Sequence, residues 1–212
     1  MSGAGEAVWA AFILSNFILL GSGRLESYAR AISVQGFLLA ALAWLPPTMP
    51  VGHAIFLSVC NAALKGIVFP GFLIRAIKSL DVRREREPGV GFGLSLIAGT
   101  AVLAVCFWAG DKLPPPVPAF LAARPAAFFA MFTGLFIIVG RRTAVAQTAG
   151  YLVLENGLAA LGMSLLRGQP LVVELGVLLD LFAAVFIMGI AVYHINREFD
   201  HVDSDKLTFL RD

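Results

Sequence analysis

An all-α, polytopic transmembrane helix bundle is the fold class this sequence predicts, and three observations predict it. Hydrophobic residues fill 58% of the 212 positions, whereas charged residues supply only 14%. Mean hydropathy is +0.83. Long apolar runs also recur from one end of the chain to the other, separated by proline, glycine and arginine breaks. A soluble domain is about 45–50% apolar and about 25% charged, and a core of this size could not keep the excess from water. A bilayer can. About 20 apolar residues in a helix cross roughly 30 Å of hydrocarbon, and the helix satisfies its own backbone groups on the way.

Seven segments follow in chain order. The first runs from Val8 to Leu20 and stops at Gly21-Ser22-Gly23-Arg24; no basic region precedes it, so it reads as a span and not as a cleaved signal. The second, Ala29 to Leu45, ends at Pro46-Pro47, which cannot continue a helix. The third spans His53 to Ile74, with a kink expected at Pro70. The fourth covers Val90 to Ala109. Pro114-Pro115-Pro116 then separates it from the fifth, Ala119 to Val139. The sixth runs from Ala144 to Leu166 and the seventh from Leu171 to Ile195. Residues 1–112 therefore form a four-helix membrane part, and residues 113–212 a three-helix part with a short polar tail.

The loops set the expected direction, because Lys and Arg accumulate on the cytoplasmic side. Arg24, Arg30, Arg75, Lys78, Arg83, Arg84, Arg86, Arg141, Arg142, Arg197, Lys206 and Arg211 fall on one side; Lys112, Arg124 and Arg167 fall on the other. Twelve against three puts the N-terminus outside and the C-terminus in the cytoplasm, which agrees with an odd number of crossings. The tail from Asn196 to Asp212 mixes both signs, and reads equally as a solvated end or as a strap for a neighbouring subunit.

Several classes of function are excluded at this stage. A net charge of +2 is too small to imply nucleic-acid binding. Cys60 and Cys106 lie in apolar runs without metal-ligand spacing. His194 and His201 read as surface residues and His53 as interfacial, none with a partner at metal-site spacing. No phosphate loop, nucleophile triad or redox motif occurs. The expectation is a non-catalytic chain with neither a cofactor nor a metal.

Charge inside the spans is the informative feature, since each such group costs about 2.5–3.5 kcal/mol at the bilayer centre on insertion scales. Lys65 lies near the middle of the third span, Glu155 of the sixth and Asp180 of the seventh, and Glu174 lies nearer the outer end of the seventh. Desolvation disfavours their charges while mutual attraction favours them, so a set balanced between the two can exchange protons near neutral pH. The alternative is a static ion pair that locks helices together. Asn61, four residues before Lys65, shares its helix face. Asn156 adjoins Glu155, and Gln147 stands about two turns earlier on a similar face. All three could equally be interhelical hydrogen-bonding groups. Gly150, Gly157 and Gly162 would let neighbours approach the helix of Glu155 closely. An internal repeat is too slight to carry weight: aligning VQGFLLAAL with TAGYLVLEN pairs Gly36 with Gly150 but sets Ala41 against Glu155.

The stretch RRTAVAQTAGYLVLENGLAALG, from Arg141 to Gly162, followed by LGVLLDLFAAVFIMGIAVYHINREFDHVDSDKL, from Leu175 to Leu207, resembles component E of hydrogenase-4-type membrane complexes (HyfE). The last three spans are also similar to the NuoK subunit of respiratory complex I and to MrpC of multisubunit cation/proton antiporters. The resemblance is densest over the last third of the chain, and GYLVLENG is its most specific element. It implies a helper subunit in the membrane arm of an energy-converting complex. Its neighbours would be antiporter-like and NuoH-like subunits, with a peripheral hydrogenase or oxidoreductase arm beyond them, in the inner (cytoplasmic) membrane. Glu155 falls on the NuoK-type glutamate of the charged path. The second NuoK glutamate has no direct match: apolar Val185 stands about there, with Asp180 and Glu174 earlier. Lys65, in NAALKGIVFPGFL, resembles the lysine of the third HyfE-like helix.

Three functions are then open: a subunit contributing Lys65, Glu155, Asp180 and Glu174 to a proton or Na⁺ path, a structural adaptor with static ion pairs, and an MrpC-like antiporter subunit. Tight, dry contact between lysine and carboxylate favours the adaptor; spaced groups in a hydrated cavity favour the path.

Overall fold

The computed structural model describes residues 2–44, 51–79, 90–112 and 122–165. Every regular element in it is a helix: α1 (Ser2–Gly21), α2 (Leu25–Leu42), α3 (Val51–Cys60), a π-helical segment (Asn61–Val68), α4 (Phe69–Ser79), α5 (Phe92–Lys112), α6 (Ala123–Gly140) and α7 (Ala144–Leu165). α3, the π segment and α4 follow one another without a gap and form one rod. The seventh expected span, with Glu174 and Asp180, lies outside the described residues.

The helix limits differ from the apolar runs where small or charged residues extend a helix without adding hydropathy. α1 begins at Ser2 and not near Val8, because Gly3, Ala4, Gly5 and Glu6 continue the helix although they are weakly apolar. α2 begins at Leu25, before the apolar run, with Glu26 in the first turn where the helix dipole favours a negative charge. Glu26 and Arg30 then meet at 3.8 Å across one turn on an exposed face.

Four helices among the described residues are long and apolar enough to cross a membrane: Gly3–Gly21, Val51–Lys78, Phe92–Gly110 and Ala123–Gly140. α2 and α7 fall outside that set because polar residues interrupt them, notably Gln35 in α2 and Gln147, Glu155 and Asn156 in α7. Most of these face inward: Gln35, Glu155 and Asn156 are all buried.

Short turns fold α2 back on α1 and α7 back on α6, and α6 and α7 make the most extensive contact in the bundle. Glycine makes that contact possible. A Cβ on Gly134 would stand 2.5 Å from Leu154 N and 2.6 Å from Gly150 O, and one on Gly157 would stand 2.7 Å from Met131 N. The two backbones therefore touch directly.

The core is layered. At one end, Leu19, Leu25, Tyr28, Ile32, Leu73, Ile137 and Val153 pack with their neighbours. At the other end, Trp9, Phe12, Leu39, Leu42, Ala126 and Ala160 do the same. Between these clusters along α1, α2 and α7 lie Ser15, Asn16, Gln35, Glu155 and Asn156, all buried. A polar layer thus divides two apolar ones. α5 joins at the side through Cys106, which packs with Leu20 and Phe129.

Candidate functional site

The polar layer contains the site. Lys65 Nζ lies 3.1 Å from Glu155 Oε1, and the two side chains are only 5% and 2% exposed. The two residues are far apart in the sequence, and the fold brings them together through α2. Gly36 of α2 sits against the backbone of Lys65 and Gly66 so closely that any Cβ there would collide with it. α2 also packs on α7, and it therefore has the helix of each partner as a neighbour.

The local geometry at Lys65 follows from Pro70. A proline donates no backbone hydrogen bond, so the carbonyl four residues earlier, that of Gly66, loses its α-helical partner. The rod adopts a π-helical register over Asn61–Val68, just before Pro70, with the Phe69 amide bonded to Leu64 O five residues back. Ser33 Oγ of α2 donates to Gly66 O at 2.5 Å, supplying the missing donor. π segments of this kind recur at functional sites, and Lys65 sits in the middle of this one. Asn61 is buried on the same rod, its amide donating to Leu57 O at 2.8 Å.

From Glu155 the layer continues through its neighbour Asn156. Asn156 Nδ2 donates to Gln35 Oε1 at 3.1 Å. Gln35 Nε2 donates in turn to Ser15 Oγ at 3.0 Å and to Asn16 Oδ1 at 3.3 Å. Ser15 Oγ and Asn16 Nδ2 both end on Phe12 O, at 2.6 and 2.8 Å. The donors thus run in one direction, from α7 through α2 to a backbone carbonyl of α1. Gln35 uses both N–H groups and its oxygen, so its amide orientation is fixed by its partners.

Not every residue singled out in the sequence joins this layer. Gln147 donates to Arg141 O at 3.1 Å and closes the turn between α6 and α7. His53 is exposed near the start of α3. Glu174 and Asp180 lie outside the described residues.

No protein-family model matches the chain, and no solved structure does. Over 205 residues it is 33% identical to the uncharacterized protein Rv0085 of Mycobacterium tuberculosis, an alignment covering 94% of this chain and 92% of that protein. The chain belongs to the family of that mycobacterial protein. Over 124 residues it is also 32% identical to hydrogenase-4 component E of Escherichia coli and of Shigella flexneri, a match spanning 57% of this chain and 57% of each relative.

This family member also buries arginines that its sequence places in loops, Arg124 and Arg141. Arg141 stands in the turn after α6, where its charge reads as a loop residue, yet it is 1% exposed. Its guanidinium donates to Leu20 O at 3.1 Å and to Val90 O at 3.0 Å, and lies 4.5 Å from the centre of the Phe92 ring. It ties the end of α1 and the start of α5 to the end of α6. Ser15, Asn16, Ser33 and Gln35 also escape a reading that weighs ionisable groups in spans and the amides on the same helices. Asn16 and Gln35 were open to the same argument, because an amide at the centre of an apolar run also needs a buried partner.

Proposed function

We propose that this chain is a multi-pass subunit of the inner (cytoplasmic) membrane, with seven spans, an outside N-terminus and a cytoplasmic C-terminus. It works in an energy-converting, hydrogenase-type complex, where Lys65 and Glu155, with Asp180 and Glu174, belong to a proton or Na⁺ path. Its neighbours are antiporter-like and NuoH-like membrane subunits, and the redox chemistry belongs to a peripheral arm. The similarity to hydrogenase-4 component E supports the kind of complex. The single observation that carries the mechanism is the Lys65–Glu155 pair, which is buried midway along its helices and runs on into the Asn156–Gln35–Asn16 chain.

A charge pair is a costly way to join helices. Taking both ions from water is expensive, and apolar side chains of similar volume hold as well or better. A pair that must open and close as charge moves next to it has a reason to remain charged. In this reading the 3.1 Å contact is the closed state, and a change of charge in a neighbouring subunit separates Lys65 from Glu155 and frees either group to trade a proton.

A specific observation favours a second reading. The contact is direct and both side chains are almost fully enclosed, which is the geometry expected of a structural adaptor with a static lock. Ion pumping by the intact complex in sealed vesicles separates the two, comparing wild type with Glu155→Gln after assembly has been checked. The path reading expects redox turnover to continue while ions moved per electron fall sharply. Unchanged pumping per electron would leave the adaptor as the function of this chain.

A further inference from the structure

We infer that α2 is the positioning element of the Lys65–Glu155 pair: Ser33, Gln35 and Gly36 together set the separation of the two charges. The inference deepens the reading above, since it names the residues that decide whether the pair is closed.

One short stretch of α2 touches the helix of each partner. Two contacts fix the lysine side. Ser33 Oγ donates to Gly66 O at 2.5 Å, next in sequence to Lys65. Gly36 lies against the Lys65–Gly66 peptide with no room for a Cβ. One contact fixes the carboxylate side. Gln35 Oε1 accepts Asn156 Nδ2 at 3.1 Å, next in sequence to Glu155. Gln35 is itself held by two further bonds to Ser15 and Asn16 of α1. α2 therefore grips the backbone beside Lys65 and the side chain beside Glu155 within four consecutive residues.

Rigid placement matters here because the rod at Lys65 is π-helical and its backbone register is not fixed by the usual ladder. The outside bond from Ser33 and the close seat at Gly36 hold that register. On the other side, a Gln35 amide satisfied at every polar atom has no freedom to rotate, so Asn156 and the turn of α7 that bears Glu155 are held with it.

The test is a coupling measurement on the full chain in lipid bicelles, unfolded reversibly by SDS. Lys65→Met, Glu155→Gln and the double variant give the pair's interaction as the departure from additivity. In the wild-type background the expected coupling is about tenfold or more in the unfolding equilibrium. In a Gln35→Leu background it falls to near unity, because the charges no longer meet. A residue that merely stabilises the fold would lower stability in all four proteins alike and leave the coupling untouched. That result would overturn the inference.

Ser33→Ala removes only one hydroxyl and provides the same comparison if Gln35→Leu does not fold; the coupling again falls, and an unchanged coupling again overturns the inference. The readout does not depend on transport. Lost coupling together with normal pumping in Glu155→Gln would keep the positioning role and reject the path. Intact coupling together with lost pumping would do the reverse.

Discussion

Arg141 donates to the carbonyl of Leu20, a residue 121 positions earlier, at 3.1 Å in a buried setting. The Leu20 carbonyl belongs to the last turn of α1, where backbone acceptors have no partner within the helix. The same guanidinium takes up Val90 O just before α5. One side chain thus satisfies backbone groups of two elements while its own helix ends, which is a use of the planar, multiply donating fork that lysine cannot copy.

Replacing Arg141 should therefore cost more than a surface loop arginine would. Arg141→Met leaves the buried Leu20 carbonyl and the part-buried Val90 carbonyl without this donor, at a cost of about 1–3 kcal/mol for the buried one and less for the other. Arg141→Lys keeps the charge but reaches only one of them, so it should fall between Arg141→Met and wild type. SDS or thermal unfolding of the purified chain checks the order. Equal stability of all three proteins would show that the clamp contributes nothing.

The glycines of the α6–α7 contact make a graded prediction. Gly134→Ala and Gly157→Ala place a methyl group against backbone atoms of the facing helix, so the helices must separate at a cost of about 1–3 kcal/mol or more. Gly3 and Gly52 have nothing within 4 Å. Alanine at those positions should be neutral, or stabilising by a few tenths of a kcal/mol through the unfolded chain. Unfolding of the four variants side by side tests the contrast.

Much of the bundle was legible in the sequence because its signals are local. Apolar runs and proline breaks located the described helices, with limits off by up to six residues at the start of α1, and mid-span charge picked out Lys65 and Glu155 from the many ionisable groups. The rest depends on tertiary packing. Which carboxylate meets Lys65 is decided by α2, whose Gly36 seats the π segment, and nothing near Lys65 in the sequence points to α2. Pro70 announced a disturbance in the third rod, but the π register before it and the Ser33 hydroxyl that donates to Gly66 O depend on packing against α2. Arg141 reads as a loop charge until the end of α1 and the start of α5 are placed above it. Gln35 and Asn16 lowered the apolarity of their segments without revealing that they bond to each other.

Pro70→Ala tests the origin of the π segment. The substitution returns an N–H at residue 70, which competes with Ser33 for Gly66 O and favours the α register. A full turn of the rod around Lys65 would then rewind, carrying the ammonium away from Glu155. The expected outcome is protection of the residue 70 amide from hydrogen exchange, together with a smaller Lys65–Glu155 coupling. If the coupling stays at its wild-type value while the amide becomes protected, the register and the pair are independent.

The pair itself makes the largest prediction. Lys65→Met strands a buried carboxylate, and Glu155→Gln strands a buried ammonium; each should destabilise the chain by about 3–5 kcal/mol, because an uncompensated charge is left buried. Combining Lys65→Met with Glu155→Leu removes both charges and puts apolar volume in their place. That double variant should recover most of the loss, and its stability can reach or pass wild type, since no desolvation cost then remains. Equilibrium unfolding of the three proteins gives the comparison. If the apolar pair is as stable as the ionic one, packing alone gives no reason to keep the charges, and their presence weighs for a role in moving ions. If the apolar pair is much weaker than the ionic one, the clasp stabilises the bundle in its own right, and the adaptor reading gains.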